Sequence, residues 1–185
     1  MSHIANWLSF FVVGAIAGTL FDQIHVQFGV LSYPDPWLLG QSWCVAPNFG
    51  LATLLMWRGT MLIAPQIDKL EPQATGAEII GDILWFTAAY VASGLLKLHS
   101  WPLLALYLIA FALRTFRRPG RNWLWLHGLG LALGGCTVEM LLVHFGKFRY
   151  EHPDIGGIAY WLPGLYLHLA PMAMAASRRL RPDNR

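Results

Sequence analysis

A bundle of about six membrane-spanning α-helices is the fold this sequence predicts, on three observations. Only 12% of its 185 residues are charged while 56% are hydrophobic, against roughly 25% charged in an average soluble domain. The apolar residues run in long blocks and do not alternate with polar ones. Many of the nine Trp and six Tyr stand at block ends, where amphipathic rings meet lipid headgroups.

A helix rising about 1.5 Å per residue needs about 20 apolar residues to cross roughly 30 Å of hydrocarbon. Six blocks come close: Asn6 to His25, Gln41 to Arg58, Ile79 to Leu98, Trp101 to Phe116, Trp123 to Phe145 and Ile158 to Ala176. The fourth is short, and the tight Leu98 to Pro102 turn makes it a hairpin with the third. The first block lacks a basic leader and is followed by five more, so it reads as a retained span and not a cleaved signal.

Basic residues orient such a bundle, because cytoplasmic flanks are rich in Lys and Arg. Arg58, Lys69, Arg114, Arg117, Arg118, Arg121, Arg178, Arg179, Arg181 and Arg185 fall on the side of the termini, and only Lys97, Lys147 and Arg149 fall opposite. Both termini are therefore expected in the cytoplasm. Ala64 to Ala77, with two prolines and three charged residues, reads as a cytoplasmic loop. No internal repeat is visible, and residues 1–185 read as one domain. The net charge of +3 forms no broad basic face, which argues against nucleic-acid binding. Cys44 and Cys136 lie far apart in apolar stretches and read as buried thiols.

Spans in lipid pack through small residues. Gly14 and Gly18 form one GxxxG stripe and Gly130 and Gly134 another, expected to serve packing within the chain ahead of dimerisation. Pro47, Pro163 and Pro171 fall at or within spans, where each removes an amide donor and bends the helix.

Ionisable groups at bilayer depth are costly and mark candidate sites. Asp22 and His25 share a helix face in the first span, and Glu139 and His144 lie toward the same end of the fifth. The four would resemble a His and carboxylate metal or acid-base cluster if they met. Five residues turn a helix by about 500°, however, leaving Glu139 and His144 roughly 140° apart. An interfacial hydrogen-bond cluster is the plainer reading. Asp82 and His127, near their helix starts, are expected to be wet, and His168 to hydrogen-bond a neighbouring helix. No nucleophile arrangement, phosphate loop or HExxH motif is present, so neither catalysis nor a cofactor is expected.

Leu141 to Leu180 carries a resemblance. Its Leu141 to Val143, Gly146, Tyr150, Pro153, Asp154, Trp161 to Pro163, Arg178 and Leu180 fall at the intervals seen in the last two spans of the Insig (insulin-induced gene) family. Gln23-Ile24, Val30-Leu31, Pro34, Trp43, Val45, Pro47 and Gly50 extend the series through the first two spans, so the chain resembles that family over nearly its whole length. The resemblance implies a sterol-responsive adaptor that retains Scap or HMG-CoA reductase in the endoplasmic reticulum. Phe86 matches the family's third-span Phe. Its fourth-span Gln has no counterpart near Ser100, Leu113 replaces a Trp, and the functional Asp of the following turn falls at Arg117, a charge reversal that argues against a Scap-type partner. The short tails resemble a compact prokaryotic homologue.

The expected function is to hold a sterol or a diacylglycerol-like lipid in a central cavity between helices, as a lipid sensor or regulatory adaptor. Phe86, Trp43 and Trp161 would form apolar walls, and Gln23, Asn48 and His168 would meet a hydroxyl or ester head. Two other readings stay open. One is a membrane-embedded lipid-modifying enzyme using Asp22, His25, Glu139 and His144; the other is a transmembrane scaffold joined to a partner or to further copies through the glycine stripes.

Overall fold

The predicted blocks become six helical passes. The computed structural model describes residues 3–180, so Arg181 and Arg185 of the charge pattern lie outside the described residues. The passes are α1 (His3–Gln27), α2 (Val45–Asp68), α3 (Gly76–Leu95), α4 (Ser100–Thr115), α5 (Arg121–His144) and a sixth divided into α6 (Leu162–Leu167) and α7 (Leu169–Leu180). Two short strands, β1 (Leu31–Ser32) and β2 (Arg149–Tyr150), pair antiparallel at one end of the bundle, with Leu31 opposite Tyr150 and Ser32 opposite Arg149. This is the strand end, and the other is the termini end. Among the described residues, three helices (Trp7–Gln27, Gly76–Leu95 and Arg121–His144) are long and apolar enough to cross a membrane, and Ser100–Thr115 is a shorter apolar helix.

Several expected boundaries move by three or four residues: α3 runs Gly76–Leu95 where Ile79 to Leu98 was expected, and α6 starts at Leu162 where Ile158 was. α2 starts at Val45, four residues later than the hydropathy block, and runs on to Asp68 through Pro65. The expected loop from Ala64 therefore begins only at Lys69. Pro65 sits in the last turn, where its missing donor removes a single ladder bond. In the sixth pass, Pro171 has no N–H for the carbonyl of Leu167, and the helix is interrupted at His168.

The chain contains a repeat that sequence reading missed. Residues 28–49 and 145–166 follow the same path at a constant spacing of 117 residues, from Phe28 and Phe145 onward. Gly29, Leu39 and Gly40 have positive φ in one copy, and Gly146, Gly156 and Gly157 in the other. The hydrogen bond from Val30 N to His25 O recurs from Lys147 N to Leu142 O, and the Leu38–Gln41 bridge recurs as Ile155–Ile158. The α1–α2 hairpin and the α5–α6 hairpin are thus two copies of one unit. Their strands β1 and β2 pair with each other on the axis that relates them.

Close helix approach follows the same duplication. A Cβ on Gly14 would collide with Thr53 and one on Gly18 with Phe49, which makes the first glycine stripe an α1–α2 contact within the chain. The counterpart of Gly18 is Gly135, whose Cβ would come within 2.7 Å of Tyr166. Gly130 and Gly134 meet nothing within 4 Å and face outward. Gly18→Val and Gly135→Val should therefore each lower stability by about 1–3 kcal/mol through overpacking, whereas Gly134→Val should change the monomer's detergent unfolding midpoint little. Thermal unfolding of the three purified variants checks this, and equal losses would contradict the packing described.

Candidate functional site

The two copies meet at a cavity of about 90 Å³ near the strand end. Five of its lining pairs are repeat-related: Asp22 with Glu139, His25 with Leu142, Leu31 with Phe148, Tyr33 with Tyr150, and Phe49 with Tyr166. Tyr90 of α3 also lines it, while exposed Ala52 of α2 and Val138 of α5 border it on the outer surface. The cavity opens sideways between those two helices.

Each copy supplies one carboxylate and one tyrosine. Tyr33 donates to Asp22 Oδ2 at 2.9 Å, and Tyr150 donates to Glu139 Oε2 at 2.5 Å. Gln41 Nε2 adds a second bond to Asp22 Oδ2 at 2.8 Å, and Tyr166 donates to Glu139 Oε1. Burial first, then the Asp22 charge, pushes the Tyr33 phenol above its ordinary value, and burial with the Glu139 charge does the same for Tyr150. Both tyrosines stay protonated and donate.

His25 is fixed by a relay. Ser93 Oγ donates to Tyr90 O at 2.7 Å, so it must accept from His25 Nε2, also at 2.7 Å. The ring is the Nε2–H tautomer, stacked 4.5 Å from Tyr90. His127 repeats the device at the other end of the bundle: Thr60 Oγ1 donates to Met56 O and accepts from His127 Nε2 at 3.0 Å. His127 and Asp82, expected to be wet, are only 3% and 7% exposed. The correction has a physical cause: each finds a polar partner on a neighbouring helix, which removes the need for water.

The expected site residues separate. Asn48 lines the cavity. Gln23 donates to Leu39 O at 3.0 Å and so holds the non-glycine residue at φ 52° in the α1–α2 turn. Phe86 is buried edge-on to Phe21 and Tyr90, one layer behind the cavity, and Trp161 is buried against His25 and Tyr150 with its indole N–H unpartnered. Trp43 is 70% exposed on the outer surface. Of the alternative cluster, Asp22, His25 and Glu139 share the cavity, but His144 is exposed and points away, as the helical angle requires. No group of three or more His, Cys, Asp or Glu suited to a metal ion occurs among the described residues. Cys136 is buried and Cys44 only half-buried, and both thiols are free. Tyr33, Tyr150, Tyr166 and Gln41 went unnoticed as site residues. The recurring Phe-Gly-x-x-x-Tyr of Phe28 to Tyr33 and Phe145 to Tyr150 is the signal that marks two of them.

His168 lies deeper, in a second polar layer, and bonds its neighbours as expected. Arg114 Nη1 donates to His168 Nδ1 at 2.8 Å, which leaves Nε2 to donate to Tyr107 O at 3.2 Å. Arg114 also pairs with Asp82 Oδ1 at 2.5 Å beneath Trp85.

A third layer closes the termini end. Glu71 accepts from Arg118, from the Gly120 amide at 3.1 Å and from Arg178 at 2.8 Å, while Arg118 and Arg178 both reach Glu78. The network ties the α2–α3 loop to the α4–α5 turn and to α7. Burial pushes the Glu71 carboxyl up, but the hydrogen bond and charge of Arg118, with Arg178 and Gly120, outweigh it and leave it below its ordinary value. Arg117 stands exposed beside this network.

These features define the class: an integral membrane protein whose six helical passes are built around a duplicated helical hairpin. In fold the protein is Insig-like. It superposes on the mycobacterial Insig homologue MvINS from Mycobacterium vanbaalenii with a TM-score of 0.77 at 24% identity, over 98% of both chains. A cross-linked MvINS trimer of an arginine-to-cysteine variant gives the same score and identity over 97% of this chain and 98% of that one. No protein-family model matches the sequence, and no curated protein does.

The termini-end network makes stability depend on pH. Because folding holds Glu71 below its ordinary value, its contribution is present above the unfolded carboxyl value of about 4.3 and is lost as pH falls through the lower folded value. Glu71→Gln should cost about 1–3 kcal/mol at neutral pH, since buried Arg178 and half-buried Arg118 lose one of the two carboxylates they share. Unfolding midpoints below pH 4.5 should then fall less steeply for the variant than for the wild type, and parallel curves would contradict the assignment.

Proposed function

We propose that the protein is a non-catalytic, Insig-like membrane lipid-binding protein, acting as a lipid sensor or regulatory adaptor. The observation that carries this reading is the cavity at the repeat interface, a mostly apolar pocket with a few polar groups and with exposed Ala52 and Val138 at its edge. At about 90 Å³ it is well below the roughly 300–1,000 Å³ of sites that enclose a whole small molecule. A lipid therefore places its head among Asp22, Asn48, Glu139 and the tyrosines and leaves its tails in the bilayer. A sterol and a diacylglycerol both offer a single hydroxyl of suitable size. Phe86 and Trp161 support this head site from behind, and Trp43 anchors the rim at the membrane interface.

The basic-residue pattern supports cytoplasmic termini; the membrane is the plasma membrane in a prokaryote or the endoplasmic reticulum in a eukaryote. Arg117 offers no carboxylate to a Scap-type partner. The MvINS trimer and the outward-facing Gly130–Gly134 stripe support assembly with further copies of the chain.

Ala52→Trp and Val138→Trp fill the mouth of the cavity at exposed positions, so they should alter stability by no more than about 0.5 kcal/mol. Native mass spectrometry of detergent-purified wild type should show one co-purifying lipid per chain, reduced at least tenfold in both variants. Lipid retained unchanged in both would sink the lateral-entry reading.

A further inference from the structure

The head site has an acidic side whose donors are spent, while its free donors are the Tyr90 hydroxyl and the Asn48 amide. All three of its tyrosines that touch a carboxylate have their single proton committed: Tyr33 to Asp22, and Tyr150 and Tyr166 to Glu139. His25 spends its one N–H on Ser93, leaving the ring's other nitrogen as an acceptor. Both bonds received by Asp22 fall on Oδ2, so Oδ1 receives none, although the residue is only 5% exposed and lines the cavity. The two oxygens of Glu139 are each occupied. Asp22 Oδ1 is thus the open acceptor of a carboxylate pair whose two members come one from each copy of the hairpin.

From this inventory we infer that the site takes a ligand with a cationic, donor-rich head, a primary ammonium seated on Asp22 Oδ1. The inference rests on the lipid-binding reading above and puts an amine where that reading placed a hydroxyl. An ammonium brings three donors and no acceptor, which complements the open Asp22 Oδ1. A phosphate is rich in acceptors and brings like charge to the Asp22 carboxylate. Lys147 is the one Lys or Arg among the lining residues, and it is exposed on a loop; its flexible stem leaves its ammonium free to turn to water. A monovalent metal ion would satisfy the same oxygen, and the experiment separates it from an amine.

The probes are dodecylammonium, dodecanol and dodecyl phosphate, which share one tail and differ only in the head. Binding to the full-length protein is read by native mass spectrometry in one detergent. Dodecylammonium should bind at least tenfold tighter than dodecanol, and dodecyl phosphate more weakly than either. Asp22→Asn keeps an oxygen for Tyr33 and Gln41 but turns an amide donor into the cavity, so it should abolish the preference for the amine. Tyr33→Phe frees a lone pair and should keep it, which separates head recognition from damage to the fold. Displacement of the amine by potassium chloride but not by choline chloride would assign the site to a small metal cation. Alcohol binding as tightly as amine, or phosphate binding tighter, would overturn the cationic head and leave the lipid reading standing. Binding of none of the three probes would instead remove the lipid reading itself.

Discussion

Lipid tails are as apolar as the side chains they surround, so helices in a bilayer gain little from burying apolar area against one another. They are held by close backbone approach and by polar bonds that have no water to compete with. Both devices are used here twice in the same arrangement. Gly18 lets α1 approach Phe49 of α2, and Gly135 lets α5 approach Tyr166 of α6. The β1–β2 pair then joins the copies on their common axis. Because α1 and α5 run in the same sense from the termini end, Asp22 and Glu139 arrive at the same depth and face one cavity. The site is a consequence of the duplication.

The copies have diverged where the site needs asymmetry. Gln41, which bonds Asp22, corresponds to Ile158, which has no donor to give. Tyr166, which bonds Glu139, corresponds to Phe49, which lacks the hydroxyl. One carboxylate is therefore held by a loop amide on a single oxygen, and the other is closed on both. The second helices differ as well. Leu54 of unbroken α2 corresponds to Pro171, and the interruption this proline causes lets His168 turn to Arg114 and Tyr107.

The six passes were legible in the sequence because hydrophobic run length reports directly on bilayer thickness. The outward turn of His144 was legible from helix geometry alone. The repeat was not, since the identities that reveal it (Phe28 and Phe145, Gly29 and Gly146, Tyr33 and Tyr150, Pro36 and Pro153, Gly40 and Gly157) lie in the connections. The spans themselves preserve only apolar character, which any lipid-facing helix shares, and the key acid is Asp in one copy and Glu in the other. Asp22, His25 and Glu139 were found through their cost in a membrane. Their donors were missed because tyrosines at block ends also read as interfacial anchors, and only the spatial pairing separates the two roles. The extension of α2 past Arg58 was hidden by Pro65, which in most helices marks an end.

A lipid at the strand end can influence the termini end only through an element that touches both and that has two arrangements of different affinity for the lipid. α3 has the necessary reach. Tyr90 lines the cavity, Ser93 holds the cavity histidine, Phe86 packs beneath, and Asp82 on the same buried face pairs with Arg114. Glu71 just before it and Glu78 in its first turn hold Arg118 and Arg178. A small shift of this helix along its axis would act on the Asp82–Arg114 pair, in which the second Asp82 oxygen has no partner. The termini-end network differs in kind. Both oxygens of Glu71 are engaged by groups from two other segments, so the network either holds together or breaks as a unit. An ion pair in the middle of the helix and a shared-carboxylate lock at its end are the two elements that the proposed coupling of lipid occupancy to the termini end would use.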